Sequence, residues 1–156
     1  MDSVKKDIMK TLTPEAILVP LTKEATHSVG QCQKGIVPIT SFPFKVGRES
    51  RIGENERGFF IKLRFRKSDD VKPSNDIYLI DSGRTKQISK EHFLIEKTNN
   101  FFLLKDRGSS TGTTINDITY GGSESDIEQV LNDGDIIKIG SSDSEFKFQF
   151  LVLDKI

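Results

Sequence analysis

The stretch that decides the fold runs from Ile88 to Asn116 and reads ISKEHFLIEKTNNFFLLKDRGSSTGTTIN. Its two apolar runs, at 93–95 and 101–104, are separated by a Thr-Asn-Asn sequence of the kind that forms turns. These features predict two paired strands with a turn at 98–100. The polar segments on either side then become loops at one end of a sheet, where their hydroxyl and backbone N–H groups can surround an anion.

An arginine at the end of an earlier strand adds positive charge to this predicted site. Phe42, Phe44 and Val46 occupy alternate positions, which is the period of a half-buried strand. Gly47-Arg48 follows directly. The guanidinium group of arginine is well shaped to bind phosphate oxygens through two parallel hydrogen bonds.

Four short motifs in this order resemble the forkhead-associated (FHA) domain, a phosphothreonine-binding module. The family pattern is Gly-Arg, then Ser-x-x-His, then Asp-x-x-Ser-x-Asn-Gly-Thr-x-Val-Asn, then Gly-Asp. In this chain the motifs are Gly47-Arg48, Ser89 to His92, Asp106 to Asn116, and Gly134-Asp135. The resemblance extends from Glu15 to Leu153 and implies an all-β fold, an antiparallel β-sandwich of the FHA type.

The resemblance also implies a function and a set of binding residues. The expected function is a phosphothreonine-dependent interaction module that binds phosphorylated partner proteins in Ser/Thr kinase signalling, either kinase substrates or the kinase itself. The residues implied to contact the phosphate are Arg48, Ser89, Lys90 and Ser110. The family often has arginine where Lys90 stands, and lysine keeps the charge but lacks the planar fork.

Thr111 is where the chain departs most from the family, which has an asparagine that binds the peptide backbone at this position. Threonine offers one hydroxyl in place of the asparagine amide, and that hydroxyl can also turn to its own loop. Six further residues are implied to shape the site, with His92 bracing the loops from within. They are Gly47, His92, Ser109, Gly112, Thr113 and Asn116. Of these, Asn116 is expected to shape the following hairpin with Asp117.

Strand-like runs recur along the chain with turn residues between them, which is the pattern of a β-sandwich. We assign residues 15–156 to this domain, with a polar loop at 22–35 and a short turn at 126–131. The connection at approximately 49–75 is longer than the resemblance implies. It holds an alternating strand at 59–66 and is predicted to be an insertion.

Residues 1–14 are predicted to be an N-terminal extension outside the sandwich. Val4, Ile8 and Leu12 repeat at helical spacing, and Pro14 would end a helix there. One short helix is marginal on its own. The sequence therefore leaves two interpretations of this segment, a helix and a disordered tail.

The composition limits the classes of function. The chain of 156 residues fits one domain, and its net charge of zero argues against general attraction to nucleic acid or membranes. Cys32 is the single cysteine, which excludes an internal disulfide and favours a reducing compartment. No membrane-length apolar run or signal-peptide core occurs, so a cytoplasmic protein is predicted. No metal or cofactor is implied, and His27 has no ligand partners at short spacing.

Two other classes of function match parts of the sequence. The segment from Gly108 to Gly112 matches the Gly-x-Ser-x-Gly motif of serine hydrolases. That motif has to run from a strand into a helix, whereas the next residues favour a strand, and both histidines precede Ser110. The chain is therefore predicted not to be an enzyme. The other class is a phosphate-independent interaction domain, which the basic stripe of Lys62, Arg64 and Arg66 could serve.

Overall fold

The computed structural model describes residues 2–30, 33–50, 52–61, 74–81, 86–122 and 128–153. These residues form two helices, one 3-10 turn and thirteen strands. In chain order they are α1 (Asp2–Leu12), β1 (Ala16–Pro20), α2 (Lys23–Val29), the 3-10 turn (Gln33–Gly35), β2 (Val37–Ile39), β3 (Phe44–Arg48), β4 (Ile52–Asn55), β5 (Gly58–Ile61), β6 (Ile77–Leu79), β7 (Phe93–Thr98), β8 (Phe101–Asp106), β9 (Thr113–Ile115), β10 (Ile118–Tyr120), β11 (Glu128–Leu131), β12 (Ile136–Ile139) and β13 (Lys147–Val152).

Two large sheets form the predicted β-sandwich. One sheet has the strand order β10-β9-β12-β13-β1-β2, and the other has the order β11-β8-β7-β3-β6. Neighbouring strands in both sheets are antiparallel, except that β3 and β6 run parallel. The prediction of an all-β sandwich is confirmed, with this one parallel pair as an addition.

The core lies between the two sheets and is built from alternate positions of their strands. Phe93 and Ile95 are fully buried on β7, and Phe148 and Phe150 are buried on β13 in the other sheet. The ring of Phe102 on β8 packs edge-on against Phe150, with centroids 5.3 Å apart. A strand places successive side chains on opposite faces, so this alternation directs one apolar row from each strand inward.

Strands β7 and β8 form the hairpin that the sequence predicted. Phe93 pairs with Asp106 at one end and Thr98 with Phe101 at the other, which leaves a two-residue turn at Asn99-Asn100. Asn99 has a φ of 47°, a conformation that asparagine tolerates well. The open end of the hairpin brings the segments before 93 and after 106 together, and this places both predicted loops at one end of the sheet.

The prediction of a loop at 22–35 is wrong, because a helix occupies residues Lys23–Val29. Thr22 caps this helix, since its Oγ1 accepts a hydrogen bond of 3.1 Å from the backbone N–H of Ala25. Only Ala25 and Ser28 of the helix are buried. Its apolar residues, Ala25 and the partly buried Val29, are too few to show a helical period in the sequence. His27 is exposed, as expected of a solvated histidine.

The prediction of a turn at 126–131 is also wrong where the structure describes it. Residues Glu128–Leu131 form the edge strand β11, which pairs with β8. Leu131 is the one buried residue of this strand. A single apolar contact with polar neighbours is a weak strand pattern, and pairing with β8 determines the conformation.

The N-terminal segment is helical rather than disordered. Helix α1 spans Asp2–Leu12 and has no buried residue. Its apolar side chains are open to solvent, since Val4 is 55% and Leu12 is 73% exposed. Within the described ranges, neither helix is long and apolar enough to cross a membrane.

The predicted insertion contains a small sheet of its own. Strands β4 and β5 pair antiparallel, with Asn55 opposite Gly58, and form a two-stranded sheet separate from the other two. The second half of the predicted 59–66 strand and the basic stripe of Lys62, Arg64 and Arg66 lie outside the described residues. Both ends of the segment are anchored, because Glu49 is 3% and Asn75 is 6% exposed.

Removing the insertion between its anchored ends should leave a folded domain. Because β3 and β6 are parallel, their connection has to return along the strand, and a tight turn cannot replace it. We expect that replacing residues 51–73 with about ten Gly and Ser residues gives a domain that still unfolds cooperatively in urea; ten extended residues reach ~33 Å. Loss of all cooperative unfolding would show that the segment belongs to the main core.

Candidate functional site

Arg48 is the last residue of β3 and lies beside the segment before β7 that contains Ser89 and Lys90, which we call the first loop. The second loop is the segment between β8 and β9 that contains Ser110. Its backbone N–H donates a hydrogen bond of 3.0 Å to the carbonyl oxygen of Ser89. Its side chain is partly exposed and makes no hydrogen bond or ion pair with any described residue. Gly47 makes the close approach possible, because a Cβ atom there would overlap with the Lys90 carbonyl oxygen. Arg48 thus carries a guanidinium group without a partner among the described residues, on a backbone that is bonded to Ser89.

The first loop is linked to the second through Ser89. The Ser89 Oγ accepts a hydrogen bond of 3.0 Å from the backbone N–H of Ser110. Because this contact uses an oxygen lone pair, the hydroxyl proton of Ser89 remains able to donate. Lys90 follows, with an exposed side chain. Arg48, Ser89 and Ser110 are therefore connected by two hydrogen bonds.

The second loop is folded around the buried carboxylate of Asp106, which is 2% exposed. One oxygen, Oδ1, accepts from the backbone N–H groups of Gly108 at 3.0 Å and Ser109 at 2.9 Å. The other, Oδ2, accepts from the hydroxyls of Ser109 at 2.6 Å and Thr113 at 3.1 Å. The Ser109 Oγ also accepts from the N–H of Gly112 at 2.9 Å. These contacts hold the loop so that the Ser110 side chain stays exposed at its tip.

Sequence reasoning missed the role of Asp106. Its Asp-x-Gly-Ser spacing is typical of an Asx turn, in which a carboxylate accepts backbone N–H groups two and three residues later. That local signal was present in the sequence. The burial that makes Asp106 important depends on the sheet, since it pairs with Phe93 on β7.

His92 is fully buried and joins the two loops. Its Nδ1 accepts a hydrogen bond of 3.0 Å from the backbone N–H of Ser89. Its Nε2 is 2.7 Å from the carbonyl oxygen of Gly112, so the neutral tautomer with the proton on Nε2 satisfies both contacts. Gly112 has a φ of 83°, and a Cβ there would lie 2.7 Å from the Tyr120 carbonyl oxygen. Glycine is therefore required where His92 meets the second loop.

Asn116 does not lie with the other predicted site residues. It follows β9, whereas Gly112 precedes that strand, so β9 separates the two. Asn116 and Asp117 have φ values of 47° and 74° and form the turn into β10. The Asn116 Oδ1 accepts from the N–H of Ile136 at 2.9 Å, which fixes this hairpin to β12.

The hydrolase motif lies in the wrong structural context for a nucleophile elbow. Residues Gly108 to Gly112 lead into strand β9 and not into a helix. Both ring nitrogens of His92 are engaged by Ser89 and Gly112. The imidazole is thus occupied by backbone groups of the loops and is not placed as a base for Ser110.

Comparison with known proteins decides the family. The FHA domain model matches residues 45–140, which is more than half of the chain. This chain belongs to the FHA domain family. No match was found among curated protein sequences.

Solved structures share the fold of this FHA domain at low sequence identity. Mycobacterium tuberculosis EmbR, in complex with a low affinity phosphopeptide, is 19% identical with a TM-score of 0.52; the match covers 97% of this chain but only 29% of EmbR. The MEK1 FHA domain, in complex with a HOP1 phosphothreonine peptide, is 18% identical with a TM-score of 0.50, covering 91% of this chain and 100% of that one. Yeast Pml1p is 19% identical with a TM-score of 0.55, covering 88% of this chain and 81% of Pml1p.

Thr111 uses its hydroxyl proton inside this FHA domain. Its Oγ1 donates a hydrogen bond of 2.7 Å to the carbonyl oxygen of Gln87. The Gln87 Oε1 in turn accepts from the backbone N–H of Ser141 at 3.1 Å. The loops around 87, 111 and 141 are thereby connected. Sequence patterns did not point to Gln87 or Ser141, because both contacts join residues far apart in the chain.

The substitution Thr111→Asn should tighten the binding of phosphothreonine peptides. The Thr111 hydroxyl donates to Gln87 and has no second proton to offer, whereas an asparagine amide has two donors and an acceptor. One additional neutral hydrogen bond contributes about 0.5–1.5 kcal/mol, so we expect a gain of about threefold to tenfold in affinity. Isothermal titration calorimetry measures it. Weaker or unchanged binding would mean that this loop position does not bind the peptide backbone.

His92 should make stability depend on pH. Burial lowers the pKa of His92 below the ordinary value of 6.5, and the Gly112 hydrogen bond and the Asp106 charge only partly oppose this. The unfolded state therefore takes up the proton first as the pH falls. The His92 contribution is fully present above 6.5, and the free energy of unfolding should decrease as the pH falls below that value.

The titration of His92 can be followed directly. In the variant His27→Gln, His92 is the only histidine, so its ring protons report its titration in the NMR spectrum without overlap. We expect a midpoint below 6.5. A midpoint at or above that value would contradict the assigned hydrogen bond from Ser89, because protonation of Nδ1 removes the acceptor.

Proposed function

We propose that this FHA domain binds phosphothreonine-containing segments of partner proteins. The observation that carries the proposal is Arg48, whose guanidinium has no partner among the described residues and whose backbone N–H is bonded to Ser89, the residue whose hydroxyl oxygen accepts the N–H of Ser110. A phosphate group brings nearly two negative charges and three strong acceptor oxygens. A cation next to free hydroxyl donors complements that chemistry.

Each proposed phosphate contact has a distinct physical role. Arg48 supplies a charge-assisted hydrogen bond, which is roughly twice as strong as a neutral one. Ser89 is set up to donate, because its oxygen already accepts the N–H of Ser110. The Ser110 hydroxyl and the Lys90 ammonium are exposed and can reach a ligand that lies over the loops. Thr111 lies in the second loop, at the position where the family has an asparagine that binds the peptide backbone, and we propose that this loop contacts the peptide chain.

The surrounding structure supports a rigid site. The Asp106 carboxylate, the buried imidazole of His92 and the left-handed Gly112 hold the two loops against one another. Such preorganisation favours affinity because little loop entropy is lost on binding. The phosphopeptides bound by EmbR and by the MEK1 FHA domain are consistent with the same use of the fold.

The partners would be substrates of a Ser/Thr kinase, or the kinase itself, and the domain would act in signalling as an interaction module without enzymatic activity. A net charge of zero gives no general attraction to nucleic acid or membranes, so recognition depends on the local site. We place the protein in the cytoplasm on the basis of its single cysteine.

The location of the phosphate site can be mapped by NMR. Titration with the free amino acid O-phosphothreonine should shift the backbone amide signals of Arg48, Ser89, Lys90 and Ser110 most strongly. Free threonine is the control and should leave them in place. Shifts concentrated elsewhere, or equal shifts with threonine, would contradict the proposed site.

A further inference from the structure

The segment before β6 places a buried asparagine beneath the Ser89–Lys90 loop. Asn75 is 6% exposed, and its Nδ2 donates a hydrogen bond of 2.8 Å to the Lys90 carbonyl oxygen. Its Oδ1 accepts a hydrogen bond of 2.6 Å from Nη1 of Arg107. Both polar atoms of this side chain are therefore used between the two loops.

Arg107 joins the segment that contains Asn75 to the residues that precede β7. Its backbone N–H donates to the His92 carbonyl oxygen at 2.8 Å. Its Nη2 donates to the Ser74 carbonyl oxygen at 3.1 Å and lies 3.4 Å from Oε1 of Glu91. The Arg107 side chain is only 13% exposed, so water screens these contacts less than it would at an open surface.

Gly47 lets this network approach the end of β3. A Cβ atom at Gly47 would overlap with the Lys90 carbonyl oxygen and with Nδ2 of Asn75. Two successive carbonyl oxygens therefore accept hydrogen bonds here. The Ser89 carbonyl oxygen accepts from the backbone N–H of Arg48, and the Lys90 carbonyl oxygen accepts from the side-chain amide of Asn75.

We propose that Asn75 is a positioning residue for the phosphothreonine site, acting through the Lys90 carbonyl and supported by Arg107. Fixing that carbonyl sets the direction in which the Ser89 hydroxyl and the Lys90 ammonium leave the backbone. The consequence for binding rests on the proposed function, whereas the consequence for loop geometry rests on the contacts alone. Residue 75 lies in the segment that the sequence pattern assigned to an insertion, and the inference gives its end a role in the site.

The substitution Asn75→Asp isolates the link to Lys90. A carboxylate has nearly the same shape and can still accept from Arg107, but it cannot donate to the Lys90 carbonyl oxygen. We expect the amide protons of Arg48 and Ser110 to exchange with deuterium about threefold to tenfold faster, since both donate to Ser89. We expect the affinity for a phosphothreonine peptide to fall by a similar factor.

A matched control separates positioning from general destabilisation. The substitution Phe102→Leu removes packing at the other end of β8, where Phe102 contacts Phe150, and should lower stability without changing either measurement. Should Asn75→Asp fail to fold, Arg107→Lys provides a second variant. It keeps the positive charge and loses the two-pronged contact to Asn75 and Ser74, so it should shift both measurements in the same direction.

The outcomes distinguish this inference from the proposed function. Unchanged exchange at Arg48 and Ser110, or equal effects in the Phe102→Leu control, would overturn the positioning role. If the wild-type domain bound no phosphothreonine peptide, the proposed function would fail, and the exchange rates would still decide whether Asn75 positions the loop.

Discussion

The substitution Arg48→Ala should lower the affinity for phosphothreonine peptides at least about tenfold while the domain stays folded. A hydrogen bond to a charged group contributes roughly 1.5–3 kcal/mol, and 1.4 kcal/mol is a factor of ten in affinity. The fold should survive because the Arg48 side chain makes no hydrogen bond or ion pair with the described residues. Its backbone N–H, which holds Ser89, is unaffected by the substitution.

The control for Arg48 lies on the same strand. Lys45→Ala removes the same charge from β3, three residues earlier, and should change affinity little. Calorimetry measures both variants, and circular dichroism with urea unfolding checks the fold. Wild-type affinity in Arg48→Ala would reject the site, and equal losses in the two variants would indicate a general effect of charge rather than a specific contact.

The substitution Asp106→Ala should have the largest effect on stability. It removes a buried carboxylate that accepts four hydrogen bonds within the second loop and leaves the N–H and hydroxyl of buried Ser109 without an acceptor. Hydrogen bonds to a charged acceptor contribute roughly 1.5–3 kcal/mol each but are not additive. We expect a decrease of about 3 kcal/mol or more in the free energy of unfolding.

Urea unfolding measures this decrease, and Asp106→Asn is the matched variant. Asparagine retains one acceptor oxygen and the shape of the side chain, so its loss of stability should be smaller. A change below about 0.5 kcal/mol in Asp106→Ala would contradict the role of this carboxylate, because that is the range of an ordinary surface substitution.

The parts of the fold that could be predicted are those with a strong local pattern. The β7–β8 hairpin combines two apolar runs with an Asn-Asn turn, and its prediction was confirmed. Helix α2 and strand β11 lacked such a pattern, because each buries one or two small or isolated side chains and is held by neighbouring elements. In these elements tertiary contacts, and not residue preference, determine the conformation.

In the candidate site, too, the residues within a local motif could be predicted, whereas those joined by long-range contacts could not. Four motifs in order pointed to Arg48, Ser89 and Ser110, and two hydrogen bonds connect these residues, one to the Ser89 carbonyl oxygen and one to its hydroxyl oxygen. Asn75 and Gln87 could not be found by spacing, because each contacts residues from distant segments of the chain. Asn116 was expected to shape the hairpin that follows it, and it forms the turn into β10 with Asp117, with strand β9 between it and the loops.

We propose that the Arg48 site makes binding depend on a phosphorylated threonine. The most direct measurement is a screen of the domain against a phosphothreonine peptide library, with the same peptides carrying phosphoserine or unmodified threonine as controls. We expect binding to phosphothreonine peptides, loss of binding without phosphate, and loss of binding to the whole library in Arg48→Ala. Binding that is indifferent to phosphate would contradict the claim and would identify a phosphate-independent interaction domain.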